Sequence, residues 1–172
     1  RRCQVEITAT IKPSRLPLRH TASLVPWGDA PADFSQTSAY RLFQNWEKWT
    51  RMGWLDAACP MLYYREHCTD QYQWYRNWVN AAVLWRNSRH LFPTQGNYLN
   101  GMANSITQMR YALNQGVNGL ANYSYYATHT AETDCDGVDS PVSDFSWYDY
   151  IASNLYSYTS TPPSMPWRNP AT

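Results

Sequence analysis

The sequence predicts an α/β fold built from about four βα units. The stretch 53–66, GWLDAACPMLYYRE, opens with a glycine that can end a helix, continues as a short apolar run and ends in polar and aromatic residues. Apolar runs this short, punctuated by glycine and proline, are typical of buried strands. The same succession of helix, glycine, short strand and polar tip recurs later in the chain. This alternation indicates a parallel sheet, whose functional sites gather beyond the carboxyl ends of the strands.

Length, composition and net charge limit the classes of protein to which this chain can belong. A chain of 172 residues is long enough for one domain with a hydrophobic core. The formal net charge of +1 gives no electrostatic reason to expect nucleic acid or an anionic membrane surface as a partner. Nine Trp and 14 Tyr fill the core but also suit a sugar-binding cleft, because ring faces stack on pyranoses. No apolar run is long enough to span a bilayer, so we expect no transmembrane segment.

The first half of the chain carries a strand, a long loop and a helix. Residues 3–11 alternate and are rich in β-branched side chains, which predicts a strand. Residues 12–35 contain several prolines and are predicted to be an irregular, functional loop that carries Trp27 and Asp29. Apolar residues at helical spacing predict a helix over 36–52, which Gly53 terminates.

Three further βα units follow. The apolar run within 53–66 is predicted to be a strand over 55–63, and later strands are predicted over 90–99 and 118–126. Helices are predicted over the following ranges: 70–86, 102–115 and 144–157. Residues 159–172 are rich in proline and are predicted to form an extended tail to a domain spanning 1–158. Four units form either a small open sheet or half of an eight-stranded barrel.

Four cysteines divide into two pairs. Their spacing does not match a zinc ribbon or an iron–sulfur cluster. Cys3 and Cys59 fall in predicted strands and are interpreted as inert core thiols. Cys68 and Cys135 fall in predicted loops on the same face. They form a disulfide if the protein is exported and stay separate thiols if it is not, and the sequence leaves both alternatives open.

Several short segments, in order along the chain, resemble one protein family. They are Trp27-Gly28-Asp29, Tyr40 through Trp49, Gly53-Trp54-Leu55-Asp56, Pro60-Met61 with Tyr63, Gln95-Gly96-Asn97-Tyr98-Leu99, Gln115-Gly116-Val117-Asn118-Gly119, Tyr123-Ser124-Tyr125 and Met165-Pro166-Trp167-Arg168. The ordered set resembles the bacterial family-10-like glycosyl hydrolases, which are glycoside-hydrolase-like TIM barrels. The resemblance covers nearly the whole chain.

The resemblance implies a fold and a function. The chain would be the C-terminal half of a (β/α)8 barrel, strands five to eight, and the missing N-terminal half of the barrel would be its partner. The substrate would be a bacterial cell-envelope glycan or another extracellular polysaccharide, cleaved without a cofactor. The implied location is extracellular or in the cell envelope.

Glycoside hydrolysis needs two carboxyl groups on either side of the scissile bond. At the predicted strand tips the best catalytic candidates are Glu66, just beyond the second strand, and Asp29, in the first long loop. Each has a structural alternative: a salt bridge for Glu66 and a turn cap for Asp29. The acidic loop residues Glu132, Asp134, Asp136 and Asp139 lack the spacing of a calcium loop, so no metal is predicted.

Candidate sugar-binding residues lie at the same predicted tips. They are Trp27, Tyr63, Arg65, Asn97, Tyr98, Ser124 and Tyr125. Successive side chains in a strand point to opposite faces, so only one of Tyr63 and Tyr64 is expected to face the barrel axis, and Tyr63 shares the parity of Met61. Three functions stay open: a glycoside hydrolase, a glycan-binding barrel without activity, and an inactive fragment whose free strand edges self-associate.

Overall fold

A computed structural model describes residues 19–131, 133–156 and 159–168. Its main sheet contains five strands: β1 (Thr21–Leu24), β2 (Ala57–Leu62), β3 (His90–Leu91), β4 (Thr94–Gly96) and β5 (Ala121–Tyr123). All pairings are parallel, in the order β1-β2-β4-β5 with β3 also beside β2. The predicted α/β class with a parallel sheet is confirmed. The sheet does not close into a barrel within the described ranges, and the predicted strand 3–11 lies outside them.

Five helices and a small hairpin complete the described structure. The helices are α1 (Ser38–Arg41), α2 (Trp46–Arg51), α3 (Thr69–Trp85), α4 (Met102–Asn114) and α5 (Ser146–Asn154). The antiparallel hairpin joins β6 (His129–Thr130) to β7 (Pro141–Val142). No helix within the described ranges has the length and apolar character needed to cross a membrane.

The core lies between the sheet and helices α2 and α3. Leu24 of β1 and Leu62 of β2 pack with Trp46, Trp78 and Val79 in one buried cluster. A smaller cluster joins α4 to α5. Because these contacts fix the strands against the helices, the loops that follow the strands are held at one end of the sheet.

The prediction of an irregular segment over 12–35 is wrong for β1, which lies inside it. Thr21 to Leu24 pair in parallel with Ala57 to Pro60. The four residues of β1 alternate between polar and apolar, and only Leu24 is buried, but a segment this short is not enough to identify a strand from the sequence. Pairing with β2, a tertiary contact, determines this strand.

The predicted continuous helix over 36–52 is interrupted between α1 and α2. Phe43 has a φ of +62°, in the left-handed region that helices cannot use. Asn45 then caps α2, where its Oδ1 accepts a hydrogen bond of 3.1 Å from the backbone N–H of Lys48. The helical spacing predicts one buried face that includes Leu42, Phe43, Trp46 and Trp49. Trp46 and Trp49 are buried as predicted, whereas Leu42 and Phe43, at the interruption, are exposed.

The predicted strand over 90–99 is two short strands, β3 and β4, that both pair with β2. Pro93 lies between them and has no N–H to donate, so the ladder breaks there. A 3-10 turn, Asn97–Leu99, follows β4 and turns the chain toward α4.

The C-terminal tail is bound to the amino ends of β2 and β3. Trp167 Nε1 donates to Asp56 Oδ1 at 3.0 Å, and the Trp167 ring lies edge-on to His90 with centroids 4.8 Å apart. His90 Nε2 lies 2.9 Å from the carbonyl oxygen of Ser164, to which it donates. Asp56 therefore anchors the tail.

We expect protonation of the buried His90 to lower the stability of the folded chain in mild acid. Burial is the main cause that lowers the pKa of His90 below its usual 6.5, and the charges of Arg86 and Arg19 add to it, while Ser164 and Asp56 oppose it. The unfolded chain then takes up the proton first, so stability should be complete above about pH 6.5 and fall as the pH drops below it. Urea unfolding at pH 7.5 and 5.5 measures the loss.

The matched variant is His90→Gln, which keeps a donor for the tail but does not titrate. Its free energy of unfolding should change less between the two pH values than that of the wild type. An equal change in both proteins would contradict a role for His90.

Candidate functional site

Three tyrosines from neighbouring strands meet at the carboxyl end of the sheet. Tyr63 follows β2, Tyr98 follows β4 and Tyr123 ends β5. The rings of Tyr63 and Tyr123 stack with centroids 5.5 Å apart, and Tyr98 lies edge-on to them at 6.1 and 6.0 Å. We call these residues the strand-end tyrosines. The structure thus brings together the predicted Tyr63 and Tyr98 with Tyr123, which the candidate set omitted.

Gly96 allows these rings to meet. It ends β4, between the strands that carry Tyr63 and Tyr123. A Cβ atom at this position would lie 3.2 Å from the Tyr98 ring and 3.3 Å from Tyr63 Cβ, closer than side chains normally approach. Because β4 has no side chain there, the two rings contact each other across it.

Tyr63 and Tyr64 point to opposite faces, as the sequence predicts. Tyr64 is buried, and its hydroxyl hydrogen-bonds the carbonyl oxygens of Pro26 and Gly28, the latter at 2.8 Å. Trp78 Nε1 also donates to the Gly28 oxygen at 2.8 Å. These contacts fix the loop after β1, while Tyr63 remains half-exposed among the strand-end tyrosines.

The hydroxyl groups of Tyr63 and Tyr98 stay protonated at neutral pH. Burial is the main cause that raises the pKa of Tyr63 and of Tyr98, and the negative charge of Asp139 raises the pKa of Tyr98 further. A protonated phenol both donates and accepts hydrogen bonds. The site therefore offers aromatic rings together with hydroxyl groups that both donate and accept hydrogen bonds.

A second set of rings continues from the end of β5. Tyr125 lies 5.5 Å from Phe145 and 5.6 Å from Tyr148, centroid to centroid, and Tyr126 lies 6.1 Å from Phe145. Tyr148 donates its hydroxyl to the Tyr125 carbonyl oxygen at 3.0 Å. We call these four residues the outer aromatic group. Tyr125 is a predicted binding residue, whereas the other three were missed.

The loop over 133–140 adjoins the strand-end tyrosines. The Cys68–Cys135 disulfide ties it to the start of α3, with the two Cα atoms 5.8 Å apart. The alternative of a disulfide is therefore the one realised. Asp139 in this loop forms an ion pair with Arg65, which follows β2. The predicted binding residue Arg65 thus holds the loop through its guanidinium group.

Glu66, the first catalytic candidate, is bound in a buried ion pair. Its two carboxylate oxygens accept from Arg76 of α3 at 2.7 and 3.0 Å. The side chains of Glu66 and Arg76 are only 7% and 12% exposed. The Arg76 guanidinium also lies 3.3 Å from the centroid of the Tyr72 ring. Glu66 therefore forms the salt bridge that was its structural alternative. Its partner is Arg76 of α3 rather than the neighbouring Arg65.

Asp29, the second catalytic candidate, lies at the end of the loop after β1. Its Oδ1 accepts from the backbone N–H of Ala30 and from Asn77 Nδ2, both at 2.8 Å. This matches the turn-cap alternative. Trp27 in the same loop is exposed, and its backbone N–H donates to Ser38 Oγ at 2.9 Å. Its ring makes no ring contact with the strand-end tyrosines in the described residues.

The two polar candidates at the strand tips are less accessible than predicted. Asn97 is buried, and its amide group has no hydrogen-bond partner in the described part of the chain. Ser124 Oγ accepts from the Ala127 N–H at 3.3 Å. A residue that sequence reasoning missed, Asn100, braces this region: it accepts from the Glu66 N–H at 2.7 Å and donates to the Tyr64 carbonyl at 2.9 Å.

Of the described residues, only His67, Cys68 and Cys135 form a group of three potential metal ligands. Two of the three are bound in the disulfide. Cys59 is a free thiol whose pKa is raised by burial to about 11, in keeping with the inert role predicted for it. Cys3 and Glu132 lie outside the described ranges.

Comparisons with known proteins leave the family open. No protein-family model, curated protein or solved structure matches this chain. The likeness to family-10-like glycosyl hydrolases therefore stays a prediction from the short segments that carry it. Function has to be argued from the geometry of the site.

Proposed function

We propose that this chain binds glycans on the surface formed by the strand-end tyrosines and the outer aromatic group. The observation that carries the proposal is the run of exposed rings at the carboxyl end of the sheet. Tyr125 and Tyr126 are 63% and 69% exposed although they contact other rings. Clusters of exposed apolar side chains on a folded chain usually serve binding. Aromatic rings with hydroxyl groups match the apolar faces and polar edges of pyranoses.

Charge supports binding of a neutral sugar chain. The carboxylates predicted to act in catalysis are engaged elsewhere, Glu66 with Arg76 and Asp29 with Asn77. Arg65 is paired with Asp139, so the wall beside the tyrosines carries no net charge from this pair. By the family resemblance, we propose further that a missing N-terminal barrel half forms the facing wall.

A second candidate function is glycoside hydrolysis, the reaction that the resemblance implies. The observation in its favour is Asp139, whose side chain is 40% exposed and close enough to Tyr98 to raise the pKa of that tyrosine. One carboxylate beside a sugar-binding surface supplies half of the pair that hydrolysis needs. The other half would then come from outside the described residues.

Alanine substitutions of Tyr123 and Tyr125 test the glycan proposal. Each should weaken binding about tenfold, because alanine removes a ring whose apolar face a bound sugar would cover, and partial burial of a large apolar side chain contributes about 1.4 kcal/mol. Affinity electrophoresis and calorimetry with neutral polysaccharides and peptidoglycan fragments measure the binding. Phe43→Ala is the control, since Phe43 is an exposed aromatic residue in the connection between α1 and α2.

Four outcomes decide between the functions. Binding that is lost in the two tyrosine variants but kept in Phe43→Ala supports the proposal. If the wild type binds none of the glycans tested, the proposal is contradicted. Self-association that Tyr125→Ala abolishes would make the surface a contact between copies. New reducing ends, lost in Asp139→Asn, would favour the hydrolase.

A further inference from the structure

Three side chains with nitrogen and sulfur ligand atoms meet where α3 begins. One ligand atom from each of His67, Cys68 and Cys135 lies within 4.8 Å of the other two. In the oxidised protein the two sulfurs are joined as a disulfide. We propose that reduction of this disulfide creates a His–Cys–Cys binding site for a thiophilic divalent metal ion such as Zn²⁺. The inference does not depend on glycan binding.

The ring of His67 already has a hydrogen-bond partner in the loop that carries Cys135. His67 Nε2 lies 3.1 Å from the carbonyl oxygen of Asp134. A carbonyl oxygen only accepts, so Nε2 carries the proton and Nδ1 keeps its lone pair. Histidines that bind metals usually donate their other N–H to a carbonyl or carboxylate in this way. Asp134 would therefore hold the ring of His67 in place while its neighbour Cys135 supplies a sulfur.

The two sulfurs need only a small separation to bind a metal. In a tetrahedral zinc site with Zn–S bonds near 2.3 Å, two sulfurs lie about 3.8 Å apart. The Cα atoms of Cys68 and Cys135 are 5.8 Å apart, and Cys135 lies in an exposed loop that can adjust. Three protein ligands leave one coordination position for water.

The position of Cys68 favours a metal-binding thiolate. Cys68 is the N-cap of α3, a helix of 17 residues whose first turn receives no side-chain cap. The free N–H groups and the dipole of this helix end stabilise negative charge on the sulfur. Cys68 is buried whereas Cys135 is exposed, so a reductant can reach the sulfur of Cys135.

The step balances with a dithiol as the reductant. One thiolate of the dithiol attacks the sulfur of Cys135 and expels Cys68 as a thiolate, which forms a mixed disulfide. The second thiolate of the dithiol then closes its own disulfide and releases Cys135. Two electrons pass from the dithiol to the protein disulfide. Zn²⁺ binds the two sulfurs and the His67 nitrogen, and any protons left on the sulfurs pass to water.

The test uses the full chain and Zn²⁺ alone. The protein is reduced with a phosphine, freed of it without air, and titrated with Zn²⁺ against a coloured chelator. The reduced protein should bind one equivalent, and the oxidised protein none. His67→Ala should weaken binding at least tenfold. Cys59→Ser should leave binding unchanged, because Cys59 lies in β2 and is not part of the group.

Cobalt substitution and thiol counting keep the proposal falsifiable if a variant folds poorly. Bound Co²⁺ should show a thiolate-to-metal absorption band in the reduced wild type, and the near-ultraviolet circular dichroism should confirm that the chain is folded. Zn²⁺ bound to the folded, reduced protein should protect Cys68 and Cys135 from a thiol reagent. Cys59 should react with the reagent once the chain is denatured. Equal binding by wild type and His67→Ala, or by oxidised and reduced protein, would overturn the proposal.

Discussion

Replacing Glu66 with glutamine should lower the free energy of unfolding by about 3 kcal/mol, since breaking a buried ion pair leaves one charge uncompensated. Glu66 accepts two hydrogen bonds from Arg76, at 2.7 and 3.0 Å, and both side chains are almost fully buried. The amide of glutamine can keep one of these bonds but carries no charge to offset the guanidinium. Urea unfolding of Glu66→Gln measures the loss.

The matched control is Arg51→Met, which breaks the ion pair between Arg51 and Glu47. That pair is 3.3 Å long, and its side chains are 54% and 26% exposed. Solvent screens it, so the loss should stay near or below 0.5 kcal/mol. In the double variant Glu66→Gln/Arg76→Met the penalty should be smaller than the sum of the two single losses. A Glu66→Gln protein of unchanged stability that loses glycan turnover would instead return Glu66 to a catalytic role.

Local pattern predicted the long helices well. The helix predicted over 70–86 is α3, Thr69–Trp85, and the helix predicted over 102–115 is α4, Met102–Asn114. Both have one buried face at helical spacing and a clear end, for example the glycine at 116 after α4. Such signals lie within a few turns of chain, so sequence alone carries them.

Features set by long-range contacts were not predictable. β1 is a strand because it pairs with β2, and its own four residues are too few to predict a strand. The partner of Glu66 is Arg76 on the next helix rather than the neighbouring Arg65. Phe145 and Tyr148 are not among the apolar residues at helical spacing that predict the last helix. Their contacts with Tyr125 arise from the tertiary fold, so the local sequence does not show them.

The site was predicted in part, for the same reason. Tyr63, Tyr98 and Tyr125 were found because they follow strands, and parallel strands end at one edge of a sheet. Tyr123 was omitted although the register aligns it with Gly96. The sequence predicts one strand over 90–99, whereas β3 and β4 are separate strands on either side of Pro93. The register between Gly96 and Tyr123 follows only from β4 as a separate, short strand.

Removing the disulfide with Cys68→Ala/Cys135→Ala should lower the free energy of unfolding by about 4 kcal/mol. The two cysteines are 67 residues apart in sequence, and a cross-link over a loop of that size restricts the unfolded chain by an amount of this order. For a chain of this length the melting temperature should fall by roughly 10 °C. Thermal unfolding followed by circular dichroism, with and without a reductant, measures the change.

Melting with and without a reductant separates the effect of the disulfide bond from the effect of replacing the two cysteine side chains. The wild type should melt lower after reduction, whereas the double variant should not respond to reductant. Equal melting temperatures for oxidised and reduced wild type would contradict a stabilising role for this bond. Zn²⁺ added to the reduced wild type should recover part of the loss, because a metal that binds only the folded chain stabilises it. His67→Ala, once reduced, should recover less, so the cross-link and the metal site are tested in one melting series.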